Sequence, residues 1–102
     1  MITPYEANNL TIDTKTLLDI EKAIDESIKQ FHGWYRYECA IISGEYSIET
    51  RNAIGKRYKD AGWKYVYHQT SSENGERAGL TSFIFSNIKL TKDEIGRYKK
   101  VI

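Results

Sequence analysis

Two aromatic, β-branched runs separated by a polar stretch constrain the fold of this chain more than any other feature. The runs are Trp63–His68 and Leu80–Ser86, and residues 70–79 between them are mostly Ser, Glu, Asn, Gly and Arg. Strand-forming residues on both sides of small polar residues are typical of an antiparallel β-hairpin. We therefore predict that the two runs pair and hold the 70–79 loop out in solvent.

Helical periodicity predicts two helices ahead of this hairpin. Residues 13–31 carry apolar side chains at three- and four-residue spacing, which is typical of an amphipathic helix. A second helix is predicted from Ser47, a favourable N-cap, to about Ala61, and Gly62 then supplies a left-handed stop. Gly55 inside this helix lowers its intrinsic stability, which indicates that another group packs closely against it.

The ends of the chain and the segment between the helices complete the pattern. Alternation from Trp34 to Ile42 predicts a strand, with its more apolar face formed by Tyr35, Tyr37, Cys39 and Ile41. The Thr91-x-x-Glu94 pattern matches a capping box and predicts a short C-terminal helix within 91–102. Residues 1–12 contain the only proline and show no period, so we expect an irregular arm there.

This order of elements predicts a single α+β domain over residues 1–102. A strand–helix–strand unit joins its two strands in parallel with a right-handed crossover, and the hairpin adds an antiparallel third strand. The simplest solution is a small two-layer sandwich in which helices cover one face of a three-stranded mixed sheet. Its second face and its edges would be open, which leaves a homodimer as an additional prediction.

Composition narrows the classes of function. Fifteen basic and fourteen acidic residues give a net charge of +1, which argues against a dedicated nucleic-acid binder. Cys39 is the single cysteine, so an internal disulfide and a Cys-rich metal site are excluded. We find no apolar run of the length of a membrane span. We therefore expect a cytoplasmic protein with no cofactor, no metal and no membrane partner.

The 70–79 loop is the predicted binding site, because it carries more charged and hydrogen-bonding groups than a turn requires. Long loops on a rigid scaffold are often functional, although a solvated turn at Asn74-Gly75 is the simpler alternative. We predict that the loop binds a protein or a small anionic ligand, with arginines as charge anchors and strand residues at the rim. The predicted site residues are Arg51, Tyr67, His68, Ser72, Glu73, Asn74, Glu76 and Arg77.

Two alternatives use other residues. The basic residues Lys56, Arg57, Lys59 and Lys64 alternate with Tyr58 and Trp63, a combination that binds single-stranded nucleic acid in other proteins. A solvated helix end with both aromatic side chains in the core explains the same pattern more simply. The third hypothesis is a small hydrolase that uses His68 and a nearby glutamate. No nucleophile–base–orienter set is recognisable, so we predict no catalytic residue and favour a binding protein over an enzyme.

The stretch from Ser43 to Ser86 resembles small proteins of tailed bacteriophages. The resemblance is carried by Gly44-Glu45, Glu49-Thr50-Arg51, the run Tyr58–Trp63, the run Ser71–Arg77 and Gly79-Leu80-Thr81. It implies a context rather than an activity, namely a small protein made in the cytoplasm of an infected bacterium. Such a protein would bind a host or phage component, and the resemblance transfers no functional residues.

Overall fold

A computed structural model describes residues 14–101, with the side chain of Thr14 left aside. The predicted arm over residues 1–12 lies outside the described part of the chain. Both long helices and the hairpin are confirmed. The elements are α1 (Thr14–Phe31), β1 (Glu38–Ser43), α2 (Ile48–Asp60), β2 (Tyr65–Thr70), a 3₁₀ turn (Ser72–Asn74), β3 (Leu80–Ser86), α3 (Lys92–Ile95) and β4 (Lys99–Lys100).

The sheet has four strands in the order β1-β3-β2-β4, and all neighbouring strands are antiparallel. The α+β class is therefore confirmed, whereas the three-stranded mixed sheet is wrong. Strands β1 and β2 do run in the same direction, because each pairs antiparallel with β3. They are not neighbours, since the second hairpin strand inserts between them and α2 crosses over it.

Helices α1 and α2 cover one face of the sheet. Phe83 and Phe85 of β3 are central to this core, where they meet Ile24 of α1 and Ile54 of α2. On β1 the helix-facing residues are Ala40 and Ile42, so the predicted apolar face is wrong by one residue. The strand also begins later than predicted, at Glu38. The alternation misled because both faces of β1 carry apolar residues, and those on the second face include the exposed Ile41.

The second face of the sheet is covered in part by the chain after β3. Leu90 packs there against Tyr67 and Ile84, with Ile95 and Tyr98 alongside. On the side of β1, the Ile41 side chain stays exposed. An open second face is thus only partly correct, since a small second core occupies its centre.

The predicted C-terminal helix is a single turn. Its capping box is confirmed, because Thr91 accepts from the amide of Glu94 and the Glu94 carboxylate accepts from the amide of Thr91. Gly96 then adopts φ +56°, a conformation that favours glycine, and ends the helix. The chain continues into β4, where Lys99 pairs with His68 of β2.

Strand β1 forms one edge of the sheet and the two-residue strand β4 forms the other. The Ser27 hydroxyl of α1 is 2.9 Å from the amide nitrogen and 3.3 Å from the carbonyl oxygen of Ile41 on β1. On the other side, the Val101 amide donates to the Val66 carbonyl at 2.9 Å, next to β4. Ser27 therefore occupies the outward backbone groups of one residue of β1, and the homodimer stays a prediction. No helix within residues 14–101 is long and apolar enough to cross a membrane.

Candidate functional site

An ionic cluster centred on the buried Arg51 forms the base of the 70–79 loop. Arg51 on α2 is 3% exposed, and its Nη1 donates to the Glu73 carboxylate and lies 3.1 Å from His68 Nδ1. Glu73 also pairs with Lys99 on β4. The same carboxylate accepts from the amide of Thr70 at 2.9 Å and from its hydroxyl at 3.0 Å. The cluster therefore ties α2, β2 and β4 to the start of the loop.

Local structure explains why these side chains meet. Ser47 caps α2 by accepting from the Thr50 amide, which places Arg51 one turn into the helix. On β2, His68 and Thr70 are two residues apart and so lie on the same, helix-covered face of the sheet. Lys99 lies opposite His68 in the β2–β4 register and points to that face as well. Three separate elements thus converge beneath the loop.

The hydrogen bonds of His68 fix its protonation. Arg51 can only donate, so His68 Nδ1 accepts, and the proton on Nε2 is donated to Asn52 Oδ1 at 3.0 Å. Burial, followed by the positive charge of Arg51, lowers the pKa of His68 to about 4. The side chain is 1% exposed and neutral at neutral pH. With both ring nitrogens engaged inside the protein, the geometry does not favour the hydrolase hypothesis.

Glu73 is held as a carboxylate. Burial alone would raise its pKa, but hydrogen bonds from Lys99, Arg51 and Thr70 outweigh burial and lower the pKa to about 2. The negative charge of Glu73 therefore compensates the buried guanidinium of Arg51. Arg51 has a structural partner and is not the free charge anchor that the sequence predicted.

A second set of contacts holds the sides of the loop. The Glu45 carboxylate accepts from the Ser72 amide at 2.8 Å and from the Ser71 hydroxyl at 3.3 Å. Hydrogen bonds from Ser72 and Ser71 lower the pKa of Glu45, with those from Ser72 contributing most. The Gly44 amide donates to the Gly79 carbonyl at 2.8 Å. The turn before α2 therefore supports the loop at both ends.

The tip of the loop is free by comparison, since residues 74–79 are all exposed. The 3₁₀ turn ends at Gly75, whose φ of +78° lies in the left-handed region that favours glycine. The turn at Asn74-Gly75 is therefore present. Asn74 donates to Glu76 at 3.3 Å. Within residues 14–101, Arg77 forms no hydrogen bond and no ion pair. Polar groups at the tip are thus available to a partner.

The predicted rim of the site is wrong. Tyr67 is buried on the second face of the sheet, against Ile84 and Leu90. His68 follows it on β2 and therefore lies on the opposite, helix-covered face. Four further residues take part that were not predicted from the sequence. These are Glu45, Asn52, Thr70 and Lys99.

The alternative basic set does not form one surface. Arg57 pairs with Glu21 of α1, whereas Lys59 Nζ reaches the Val101 carbonyl on another side of α2, at 3.4 Å. The aromatic residues nearby are part of the core, because the rings of Tyr58 and Trp63 lie 4.6 Å and 5.9 Å from that of Phe85. They are not arranged as a stacking platform for bases.

The lowered pKa values of His68 and Glu73 predict that acid destabilises the fold in two stages. The folded-state pKa of His68, about 4, lies below its ordinary value of 6.5, so the unfolded chain takes up the proton first. Stability is then complete above pH 6.5 and falls as the pH drops toward 4. The pKa of Glu73 lies below 4.5, so its stabilisation is lost between pH 4.5 and about 2. Urea unfolding midpoints measured from pH 7 to 3 test this.

A histidine variant separates the first stage. His68→Gln should flatten the pH dependence between 6.5 and 4, since the group that titrates is gone. The exposed His32, which pairs with Glu38, stays unchanged in this variant. Equal slopes for wild type and His68→Gln would contradict the assignment.

Comparison with known proteins gives no indication of function, so the function is inferred from the geometry of the site alone. No protein-family model, no curated protein and no solved structure matches this chain. The resemblance to phage proteins therefore stays a prediction from the sequence.

Proposed function

We propose that this chain is a non-catalytic binding protein of the phage accessory or host-interaction type, and that it binds a partner through the 70–79 loop. The observation that carries this proposal is an exposed polar tip on a fixed base. Glu73 and Glu45 hold the base through contacts with Arg51 and with backbone amides, whereas Arg77 is exposed and forms no hydrogen bond and no ion pair within residues 14–101.

A fixed base lowers the cost of binding. Ordering a flexible loop consumes part of the interaction free energy, and a loop already held in place avoids much of that cost. The contacts of Glu73 and Glu45 leave only the segment after Gly75 to be ordered. Such pre-organisation is typical of loops that present a small number of polar anchors.

The chemistry of the tip favours a protein over a small anionic ligand. Small-molecule sites are concave and bury most of the ligand, whereas every residue from 74 to 79 is exposed. Arg77 also stands next to Glu76, whose charge would oppose an anion. A protein surface can pair with both charges at once, and Arg is enriched among residues that dominate protein interfaces.

The variant Arg77→Ala tests this proposal. Tagged wild-type protein should retain a binding protein from bacterial extract, and Arg77→Ala should lose it. The free energy of unfolding should change by less than about 0.5 kcal/mol, because the side chain is exposed and unpaired. Arg97→Ala is a matched control, since Arg97 is also exposed, and it should retain the partner. A partner held equally by wild type and Arg77→Ala would contradict binding through the tip.

A further inference from the structure

A cleft between α2 and β4 lies beside the ionic cluster. It has a volume of about 300 Å³ and is lined by Asn52, Ala53, Lys56 and Lys100. The sequence predicted one surface for Lys56 and for residues that lie on other sides of α2, and it predicted a helix at Lys100. Strand β4 brings Lys100 to the border of the cleft, although its register opposite Tyr67 directs its side chain to the second face of the sheet.

The buried cluster sets the orientation of Asn52 at this cleft. Arg51 donates to His68 Nδ1, so His68 Nε2 carries the proton and must donate to Asn52 Oδ1. The carbonyl of the Asn52 amide is thereby engaged. Its NH₂ group has no acceptor within residues 14–101, and Asn52 is exposed. The free polar atom that Asn52 offers is therefore a hydrogen-bond donor.

The charged side chains at the cleft also favour a ligand that accepts hydrogen bonds and carries negative charge. Lys56 is exposed and has no ion pair within the described chain. Lys59 reaches the Val101 carbonyl close by, whereas the Lys100 ammonium lies 5.7 Å from the centre of the Tyr65 ring, on the second face of the sheet. Glu73 does not offset these lysines, because Arg51 already balances its charge. The polar side chains that line the cleft are thus donors with a net positive charge.

We propose that this cleft binds a phosphate group of a nucleotide or of a nucleic-acid chain. The Lys56 ammonium and the Asn52 amide donate to the phosphate oxygens, and Lys59 adds positive potential. Phosphate offers only acceptors when fully ionised and forms strong charge-assisted hydrogen bonds with such donors. The site is separate from the loop tip, so its occupancy does not depend on the proposed partner.

Two probes test the site. One is a fluorescein-labelled single-stranded oligothymidylate, measured by anisotropy, and the other is adenosine monophosphate, measured by calorimetry. Lys56→Ala should weaken binding by roughly tenfold, the loss expected for one charge-assisted hydrogen bond. Asn52→Asp should abolish binding, because a carboxylate replaces the donor while still accepting from His68. Lys22→Ala removes the same charge from an exposed position on α1 and should bind like wild type.

The outcomes decide the proposal and the source of the phosphate. Binding of the oligonucleotide with a strong salt dependence points to a nucleic-acid chain, and binding of the mononucleotide alone points to a single phosphate. Either result supports the cleft, provided that both cleft variants lose affinity. Absence of binding by both probes, or equal binding by wild type, Lys56→Ala and Asn52→Asp, would overturn it. Circular dichroism of each variant confirms that the fold is kept.

Discussion

Arg51→Ala is expected to lower the free energy of unfolding by about 3 kcal/mol, at the lower end of the range for a broken buried ion pair. The variant leaves Glu73 without its buried partner and His68 Nδ1 without a donor. The Glu73 side chain keeps 24% of its surface exposed and retains Lys99, which limits the loss. Urea denaturation at pH 7 measures the change.

Arg57→Ala is the matched control. It removes an arginine from the same helix and breaks another Arg–Glu pair, with Glu21, but the Arg57 side chain is 46% exposed. Exposed pairs contribute about 0–1 kcal/mol. Equal losses for Arg51→Ala and Arg57→Ala would show that the cluster beneath the loop is not a buried structural unit.

Gly55→Ala is expected to destabilise the protein by up to about 2 kcal/mol, although alanine is the better helix former. A Cβ at this position would lie 2.5 Å from Val101 Cγ2 and 3.2 Å from Cγ1. Overpacking costs about 1–3 kcal/mol, and the gain in helix propensity of about 1 kcal/mol offsets part of it. Thermal or urea unfolding of the variant measures the net change.

A double-mutant cycle identifies the cause of this loss. In a Val101→Ala background the two γ-methyl groups are absent, so Gly55→Ala should become neutral or stabilising by up to about 1 kcal/mol. The same destabilisation in both backgrounds would mean that the close approach of Val101 to α2 is not what requires glycine.

Local signals predicted the elements that local chemistry determines. The bounds of α2 follow from Ser47 as cap and Gly62 just beyond the end, and the hairpin follows from its two runs. The close approach at Gly55 is also confirmed. Strand β4 has no such signal, because Lys99 and Lys100 become a strand only through pairing with the edge of β2. Insertion of β3 between β1 and β2 likewise depends on long-range pairing.

Some features of the site could also be predicted from the sequence, and others depend on long-range packing. Arg51, His68 and Glu73 were found from the sequence as polar residues near the loop, but their burial depends on packing that the sequence does not display. The misplacement of Tyr67 was avoidable, since neighbouring residues on a strand face opposite sides of a sheet. The role of Lys99 could not have been predicted, because Lys99 reaches Glu73 from a strand that forms only in the folded chain.

Amide hydrogen exchange across residues 70–80 tests the fixed base and free tip most directly. The amides of Thr70 and Leu80 donate to the Glu73 carboxylate and the Ser71 hydroxyl, whereas those of residues 77–79 have no acceptor within residues 14–101. We predict strong protection at Thr70 and Leu80 and rapid exchange at 77–79. Protection of the tip equal to that of Thr70, or rapid exchange along the whole loop, would contradict the account.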